Sequence, residues 1–168
     1  MKLTFFRFVP MLVLVVLALA QAAPAQEKTD LKGSLEAIKA NVAKVTEAGE
    51  KDRWQANIDL WQFKLSHSGA IPKADLDKMA SSLDRIKANV AKVAEVGEKE
   101  RWQTNIDLWQ VVIGQKGVLA KSDAEKLTGP FEKMKANVGK ITEAGEKGRW
   151  EANRDMWKVV IDQAVAGK

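Results

Sequence analysis

The sequence predicts an all-α protein made of three tandem helical hairpins behind an N-terminal export signal. Three observations predict this fold. A block of similar sequence recurs every 48 residues, apolar residues within each block follow helical spacing, and a glycine separates two such stretches in every block. A fixed period of this length is typical of repeat architectures, in which each unit buries its apolar face against its neighbours. The pattern leaves open a short solenoid or a closed helical bundle.

The repeated string reads Gly-Glu-Lys-x-Arg-Trp-x-x-Asn-x-Asp-x-Trp and follows a Lys-Ala-Asn-Val segment in each block. It contains all six Trp of the chain, two in each block. The repeats are predicted to cover residues of about 26–69, 70–117 and 118–168. Together they form one predicted helical-repeat domain over residues 26–168.

The N-terminal residues have the pattern of a signal peptide. Lys2 and Arg7 give a positive start, and an apolar stretch runs from about Phe8 to Ala20. This stretch is shorter than the roughly 20 residues that a helix needs to cross a bilayer. The sequence therefore favours a signal peptide over a membrane anchor.

Two Ala-x-Ala sites compete for signal cleavage, one ending at Ala22 and one at Ala25. Cleavage after Ala25 is favoured because the other site leaves Pro24 beside the new N-terminus. The prediction is a signal peptide over residues 1–25 and a mature chain that is periplasmic or secreted. No later apolar run reaches membrane length, so no stable membrane insertion is expected after cleavage.

The composition excludes several functional classes. The chain has no Cys, which removes disulfides and thiol-based lipid attachment. Its net charge of +5 falls to about +3 without Lys2 and Arg7. Both signs alternate in segments such as 50–53, which is typical of a solvated helix face. A nucleic-acid partner is not expected, because such proteins usually carry a concentrated basic stripe.

Each block begins with an amphipathic helix, as its apolar residues recur at intervals of three and four. In the second block these residues are Leu76, Met79, Leu83, Ile86, Val90 and Val93. A second helix carries the Trp residues, since Trp54, Ile58, Trp61 and Leu65 fall on one face. Its end is predicted at residues 66–69 in the first block and 114–117 in the second.

The two helices of a block are predicted to form a hairpin rather than one continuous helix. Val45 and Trp54 are nine residues apart, so in an unbroken helix their faces would point in opposite directions, at about 100° per residue. Gly49, Gly97 and Gly145 are predicted to end the first helices in the left-handed conformation. The Glu that follows each Gly then supplies negative charge at the start of the second helix. A continuous two-faced helix remains the alternative.

In the third block the first helix is expected to break near Gly129-Pro130, after a short leader capped by Ser122 and Glu125. Arg154 replaces the Ile of the other blocks, which suggests that this block is a terminal cap half exposed to water. On that view Trp109→Ala in the middle block costs more stability than Trp157→Ala at the end.

The Trp-x-x-Asn-x-x-x-Trp unit is the strongest candidate for ligand binding. Its spacing places two indoles and an amide on one surface, where they suit a sugar ring or a small aromatic ligand. The alternative is that the same residues pack between hairpins and satisfy one another's polar atoms, which three identical copies favour. The candidate residues are Trp54, Asn57, Trp61, Trp102, Asn105, Trp109, Trp150, Asn153 and Trp157.

A repeated Arg and a repeated Asp are candidates for ion pairs between hairpins. The Arg precedes the first Trp of each block and the Asp lies two residues before the second. These residues are Arg53, Asp59, Arg101, Asp107, Arg149 and Asp155. The Asn of each Lys-Ala-Asn-Val segment is expected to cap or bridge helices.

Signals for catalysis are lacking in the sequence. His67 is the single His, no Cys is present, and no Gly-rich phosphate loop or calcium-loop spacing occurs. No metal site built on His or Cys and no cofactor is therefore predicted. Nearly every notable residue occurs in triplicate, whereas a catalytic site is usually unique. A small hydrolase is the least favoured function, although a pair of carboxylates brought together by the fold would escape sequence analysis.

The sequence thus predicts an exported, non-catalytic binding or scaffold protein whose partner is an unidentified protein or envelope polymer. The alternative is a glycan or small aromatic-ligand binder that uses the repeated Trp-Asn-Trp faces. The two hypotheses differ in whether the Trp faces are open or buried.

Overall fold

The chain folds into six α-helices connected by short turns. The computed structural model describes the backbone of residues 23–167 and the side chains of residues 31–167, and it contains no β-strand within that range. The predicted signal peptide lies almost entirely outside the described residues. The helices are α1 (Ala23–Val42), α2 (Ala48–Ser66), α3 (Lys73–Val90), α4 (Val96–Gly114), α5 (Lys121–Val138) and α6 (Ala144–Ala166).

The helices form two concentric layers. The second helices of the three blocks, α2, α4 and α6, share the central axis, and α1, α3 and α5 lie outside them. Each outer helix packs against two inner ones: α3 against α2 and α4, α5 against α4 and α6, and α1 against α6 and α2. Because α1 packs against α6, the three hairpins close into a ring. The architecture is therefore a closed bundle rather than an open solenoid.

Ring closure corrects the prediction that the third block is a terminal cap. Helix α6 is covered by α1, so no end of a stack is present. Arg154 is partly exposed and directs its guanidinium to the carboxylate of its neighbour Asp155, at 2.7 Å. It is a local polar substitution on a helix that is otherwise as well covered as α4.

The apolar stripe of the outer helices forms the contact with the inner layer, as predicted. The buried residues of this stripe are Leu31, Leu35, Ile38, Val42, Met79, Leu83, Ile86, Val90, Leu127, Met134 and Val138. Val45 and Ile141 lie just beyond the ends of α1 and α5 and are buried as well. The stripe therefore joins each outer helix to the axis, and burial of its apolar surface stabilises this contact.

The hairpin prediction is confirmed, but the glycines do not make the turn. The outer helices end at Val42, Val90 and Val138, and each inner helix begins six residues later. Gly49 and its equivalents lie inside the first turn of the inner helix. Gly139, at the end of α5, has an ordinary helical φ of −61°. The left-handed C-cap prediction is therefore wrong, and the glycines have another role described below.

The predicted break at Gly129-Pro130 is also absent. Helix α5 runs without interruption from Lys121 to Val138 and contains Pro130. Proline lacks a backbone N–H and crowds the preceding turn, yet the buried residues Leu127 and Met134 on either side hold α5 against the inner layer. At its start the Asp123 carboxylate accepts a hydrogen bond from the Ala120 N–H, at 3.0 Å. The predicted leader helix with a Ser122–Glu125 capping box is therefore not formed.

At the end of the bundle where the inner helices finish, α2 ends at Ser66 and α4 at Gly114, as predicted. The two loops that follow touch each other: the Ile71 N–H donates to the Lys116 carbonyl oxygen at 2.8 Å. Gly117 adopts a positive φ of 81°, and a Cβ added there would lie 2.6 Å from the Ile71 side chain. Only glycine fits this close approach.

No helix in the described part of the chain is both long enough and apolar enough to cross a membrane.

Candidate functional site: the charged end of the bundle axis

The six Trp form two triangular layers across the axis. Trp54, Trp102 and Trp150 lie with ring centroids 4.9 Å apart in every pairing. Trp61, Trp109 and Trp157 form a second triangle with centroids 4.7 Å apart. Most pairs meet edge to face, the arrangement that the charge distribution of aromatic rings favours. Each Trp therefore contacts its own equivalents in the other two repeats.

A cyclic amide network lies on the axis with the Trp triangles. Asn57 donates to the Oδ1 of Asn153 at 3.0 Å, Asn105 to that of Asn57 at 3.0 Å, and Asn153 to that of Asn105 at 3.1 Å. Each Oδ1 also accepts from the Nε1 of a Trp in the second triangle, at 2.8–2.9 Å. The network thus satisfies polar atoms that would otherwise be buried without partners.

All nine predicted ligand-binding candidates lie in the core. The six Trp are 0–1% exposed and the three Asn are 0% exposed. A sugar or aromatic ligand has no access to these side chains in this conformation. Their contacts correspond to the packing alternative, in which each indole and amide meets its equivalents.

A ring of ion pairs lies next to the first Trp triangle, toward the N-terminal ends of the inner helices. The Nη2 of Arg53 binds Glu98 at 2.6 Å, that of Arg101 binds Glu146 at 2.6 Å, and that of Arg149 binds Glu50 at 2.5 Å. Each Arg side chain is 7% exposed and each Glu 23–24%. Every pair joins two different repeats, so the ring links all three inner helices.

The repeated Arg thus form ion pairs between hairpins, but their partner is Glu and not the repeated Asp. An Asp six residues after the Arg lies about 240° around the helix and faces away from the axis. Asp59 pairs with Arg85 at 3.4 Å, Asp107 accepts from Gln103 at 3.0 Å, and Asp155 pairs with Arg154.

The aromatic rings also contact this charged layer. The guanidinium of Arg53 lies 5.9 Å from the centroid of Trp102, and that of Arg149 lies 5.9 Å from the centroid of Trp54. An Arg over an indole face gains favourable electrostatic energy when it is desolvated. The Nε atoms of the three Arg have no hydrogen-bond partner among the described atoms.

Each inner helix is capped by a Glu that the spacing of the repeat string does not identify. The Glu47 carboxylate accepts from the N–H of Gly49 at 2.9 Å and from that of Glu50. Glu95 and Glu143 make the same contacts in the other repeats. Hydrogen bonds from the backbone of Glu50 and Gly49 lower the pKa of Glu47, and the pKa of Glu143 is lowered in the same way.

These caps explain why Gly recurs at the same position of the repeat string. A Cβ added to Gly49 would lie 3.0 Å from the Oε1 of Glu47, and one on Gly97 would lie 2.9 Å from that of Glu95. The glycine leaves room for the carboxylate to fold back onto the helix start. The triplicated Glu-x-Gly-Glu sequence was the signal that would have identified both the cap and the ion-pair partner.

Together these groups surround a depression at the end of the axis, with a volume of about 610 Å³. Its floor is the ring of Arg–Glu pairs, and its rim carries the capping Glu together with Lys92 and Lys140. The lining therefore mixes both signs of charge and repeats around the axis. It offers hydrogen-bond donors and acceptors at the end of the axis.

Other titratable groups lie elsewhere. His67 lies at the end of α2 with its Nε2 3.4 Å from Asp75, and it does not line the depression. A hydrogen bond from Lys78 is the main cause of the lowered pKa of Asp75. Within the described residues, no group of three or more His, Cys, Asp or Glu side chains is arranged to hold a metal ion.

Comparisons with protein-family models, with curated proteins and with solved structures find no match for this chain.

Proposed function

We propose that this protein is an exported, non-catalytic binding or scaffold module whose contact surface is the charged depression at the end of the axis. One observation carries the proposal. The triplicated Trp and Asn are buried and contact one another, whereas the triplicated Glu and Arg line a surface depression of about 610 Å³. Residues that bind a partner must remain reachable, and the three Glu of this surface keep 23–24% of their side chains exposed.

The partner class follows from the charge of this surface. Glu and Arg alternate around the floor, and Lys92 and Lys140 lie on the rim. Such a mixed lining offers hydrogen-bond donors and acceptors to a polar, charged protein segment or envelope polymer. It has no large apolar area for a hydrophobic peptide, since only Val93 and Ile141 contribute aliphatic side chains.

The binding surface is tested with charge reversals on the rim. Lys92→Glu with Lys140→Glu changes two exposed side chains and leaves the Arg–Glu ring intact. A matched control, Lys73→Glu with Lys121→Glu, makes the same charge change at the starts of α3 and α5, at the opposite end of the bundle. An envelope component retained by the unaltered protein and the control, but lost with the rim variant, supports the proposal. Equal retention by all three proteins contradicts it.

Export is proposed from residues 1–25 and is tested separately. The full-length chain is expressed, and the N-terminal sequence of the product outside the cytoplasm is determined. A product beginning at Gln26 is expected. A chain that stays in the cytoplasm with Met1 in place overturns export without affecting the binding surface.

Glycan or aromatic-ligand binding by the Trp faces is the second candidate, and it requires the core to open. Intrinsic fluorescence separates the two candidates, because buried indoles emit at shorter wavelength. With packed Trp, the emission is blue-shifted and is unchanged by peptidoglycan fragments. A saturable shift on addition of such fragments favours the glycan hypothesis.

A further inference from the structure

The three contacts between an inner helix and the next outer helix follow one plan but differ in their polar bridges. We call these contacts the first seam (α2–α3), the second seam (α4–α5) and the closing seam (α6–α1). In the first seam, Asp52 accepts from the Nδ2 of Asn89 at 2.7 Å and also binds Arg85. Arg85 contacts Asp59 as well, and the bond to Asp52 is the main cause of its raised pKa. In the second seam, Asn137 donates to Glu100 at 3.2 Å.

The closing seam cannot form this bridge. Gly148 occupies the position of Asp52 and Glu100, and Ala37 occupies the position of Arg85. The amide of Asn41 donates to the carbonyl oxygen of Ala37 on its own helix, at 3.1 Å. A Cβ added to Gly148 would lie 3.6 Å from the Nδ2 of Asn41, so the helices approach closely there without a carboxylate between them.

The closing seam also differs in its connection. The first and second seams are each tied by a short loop, residues 67–72 and 115–120. No loop runs from α6 to α1, since they are the last and first helices of the bundle. Because it lacks both a tether and the charged bridge, the closing seam is expected to need the smallest free energy of local opening.

Release of α1 leaves the axis of the bundle intact. The Trp triangles, the Asn network and the Arg–Glu ring are all formed by α2, α4 and α6. Helix α1 contributes an outer apolar stripe of Leu31, Leu35, Ile38 and Val42. Detaching it therefore exposes an apolar face on α1 and the complementary surface of α6.

We propose that α1 is an exchangeable helix: the closing seam opens ahead of the other two, and the uncovered face of α6 takes the α1 of a second copy of this chain. A second copy is the occupant because its α1 carries the same apolar stripe in the same register. Two copies that exchange α1 regain every contact that opening removes, which makes such exchange a low-cost route to dimers. The turn at residues 43–47 is the hinge.

Hydrogen exchange tests the order of opening. Amides of residues 36–42 in α1 are compared with those of residues 84–90, their equivalents in α3. We expect exchange in α1 to be faster by about fivefold, as for a seam that lacks a solvent-exposed ion pair. Ala37→Arg with Gly148→Asp, which transplants the bridge of the first seam, is expected to bring the two rates together.

Two results would overturn this order. Equal rates in the unaltered protein mean that the closing seam is no weaker than the first. A fast α1 that the double substitution does not slow means that the helix frays from its free end instead of opening at the seam.

The absence of Cys from the chain allows a clean test of the exchange itself. Copies with Asn41→Cys are mixed at high concentration with copies carrying Gly148→Cys, and the mixture is then oxidised. Apart from chance collision, the two introduced thiols meet when α1 of one copy lies on α6 of the other. A disulfide-linked heterodimer is therefore expected, and its absence refutes the exchange.

The matched control uses the first seam, with Asp52→Cys on one copy and Asn89→Cys on the other. These are the equivalent positions of the first seam, where Asn89 donates to Asp52 at 2.7 Å, but α3 is tethered at both ends by the chain. The control mixture is expected to give at least about tenfold less heterodimer. This holds even though its two substitutions remove the bridge between Asp52 and Asn89. Equal heterodimer yields from the two mixtures would show that the disulfides form by random collision between copies, which contradicts the proposal.

Discussion

The three repeats are more alike in the inner layer of this bundle than in the outer layer. On the axis the three repeats are identical at the residues that matter, with Trp, Asn, Trp, Arg and Glu at matching positions. In the outer seams they diverge: residue 52 is Asp, its equivalents are Glu100 and Gly148, and Arg85 corresponds to Ala37. The two layers therefore obey different constraints.

The difference comes from what each residue contacts. An axial Trp packs against its own equivalents, and an axial Asn donates to one equivalent and accepts from another. Changing one member leaves two others with unmatched shapes or unpaired polar atoms. A seam residue such as Asp52 contacts different residue types, Arg85 and Asn89, so each seam varies independently. Ring symmetry thus enforces identity on the axis and permits divergence outside it.

The largest expected effect is the truncation of an axial Trp. Trp109→Ala and Trp157→Ala should each lower the free energy of unfolding by about 3–5 kcal/mol, because each removes a fully buried indole from a closed triangle. The two losses should be equal, since the ring has no end. Denaturant unfolding followed by circular dichroism measures both.

This equality distinguishes a ring from a stack. The sequence alone predicts a smaller loss at Trp157, on the view that the third block is a terminal cap. A clearly smaller loss at Trp157 would indicate that α1 does not cover α6 in solution.

The sequence predicted the helices and the hairpins well because apolar periodicity is a local property. The stripe of α3, from Leu76 to Val90, was readable from its spacing alone. Ring closure was not readable, since the contact of α1 with α6 depends on the angle between successive hairpins. That angle is set by packing of the Trp triangles and not by any single block.

The second largest effect is expected from the amide network. Asn105→Ala leaves the Nδ2 of Asn153 and the Nε1 of Trp157 without their shared acceptor. Each buried, unsatisfied donor costs about 1–3 kcal/mol, so a loss of about 2–5 kcal/mol in unfolding free energy is expected. The seam control, Asn137→Ala, removes two exposed contacts of 3.2 Å, one to Glu100 and one from Lys140, and should cost far less. Similar losses for the two substitutions would show that the axial amides are not a closed network.

The candidate site is only partly predictable from the sequence, because its contacts join different repeats. The repeated Arg was identified as an ion-pair residue, but its partner Glu lies in the next repeat, 45 residues away for Arg53 and Glu98. Sequence spacing within a block pointed to Asp59 instead. The capping Glu47 was missed because Glu is not among the preferred N-cap residues, and its role depends on the space left by Gly49.

A smaller effect separates the ion pairs of the two layers. Double-mutant cycles with Arg101→Gln and Glu146→Gln should give a coupling free energy of about 1.5–3 kcal/mol, since that Arg is 7% exposed. The same cycle with Arg85→Gln and Asp52→Asn should give about 0–1 kcal/mol, because both side chains are 40% exposed or more. Equal coupling in the two cycles would remove the distinction between a shielded axial ring and a solvated seam.

The smallest expected effect is a dependence on acid that differs between the layers. Backbone hydrogen bonds lower the pKa of Glu47 and Glu143, which cap inner helices, from an ordinary value of 4.5. Bonds to Lys lower the pKa of Asp75 and Asp123, in the first turns of outer helices, from 3.8. A lowered pKa in the folded state stabilises the protein above the ordinary value, and this stabilisation is lost as the pH falls through the folded value.

The inner caps should therefore weaken first as the pH falls below 4.5, and the outer carboxylates should follow below 3.8. Thermal unfolding at a series of pH values between about 3 and 6 measures the decline, since this range spans the ordinary pKa of both carboxyl types. Glu47→Gln with Glu143→Gln should flatten the upper part of the profile, and Asp75→Asn with Asp123→Asn the lower part. If both pairs of substitutions flatten the same part, the acid sensitivity does not follow the two layers.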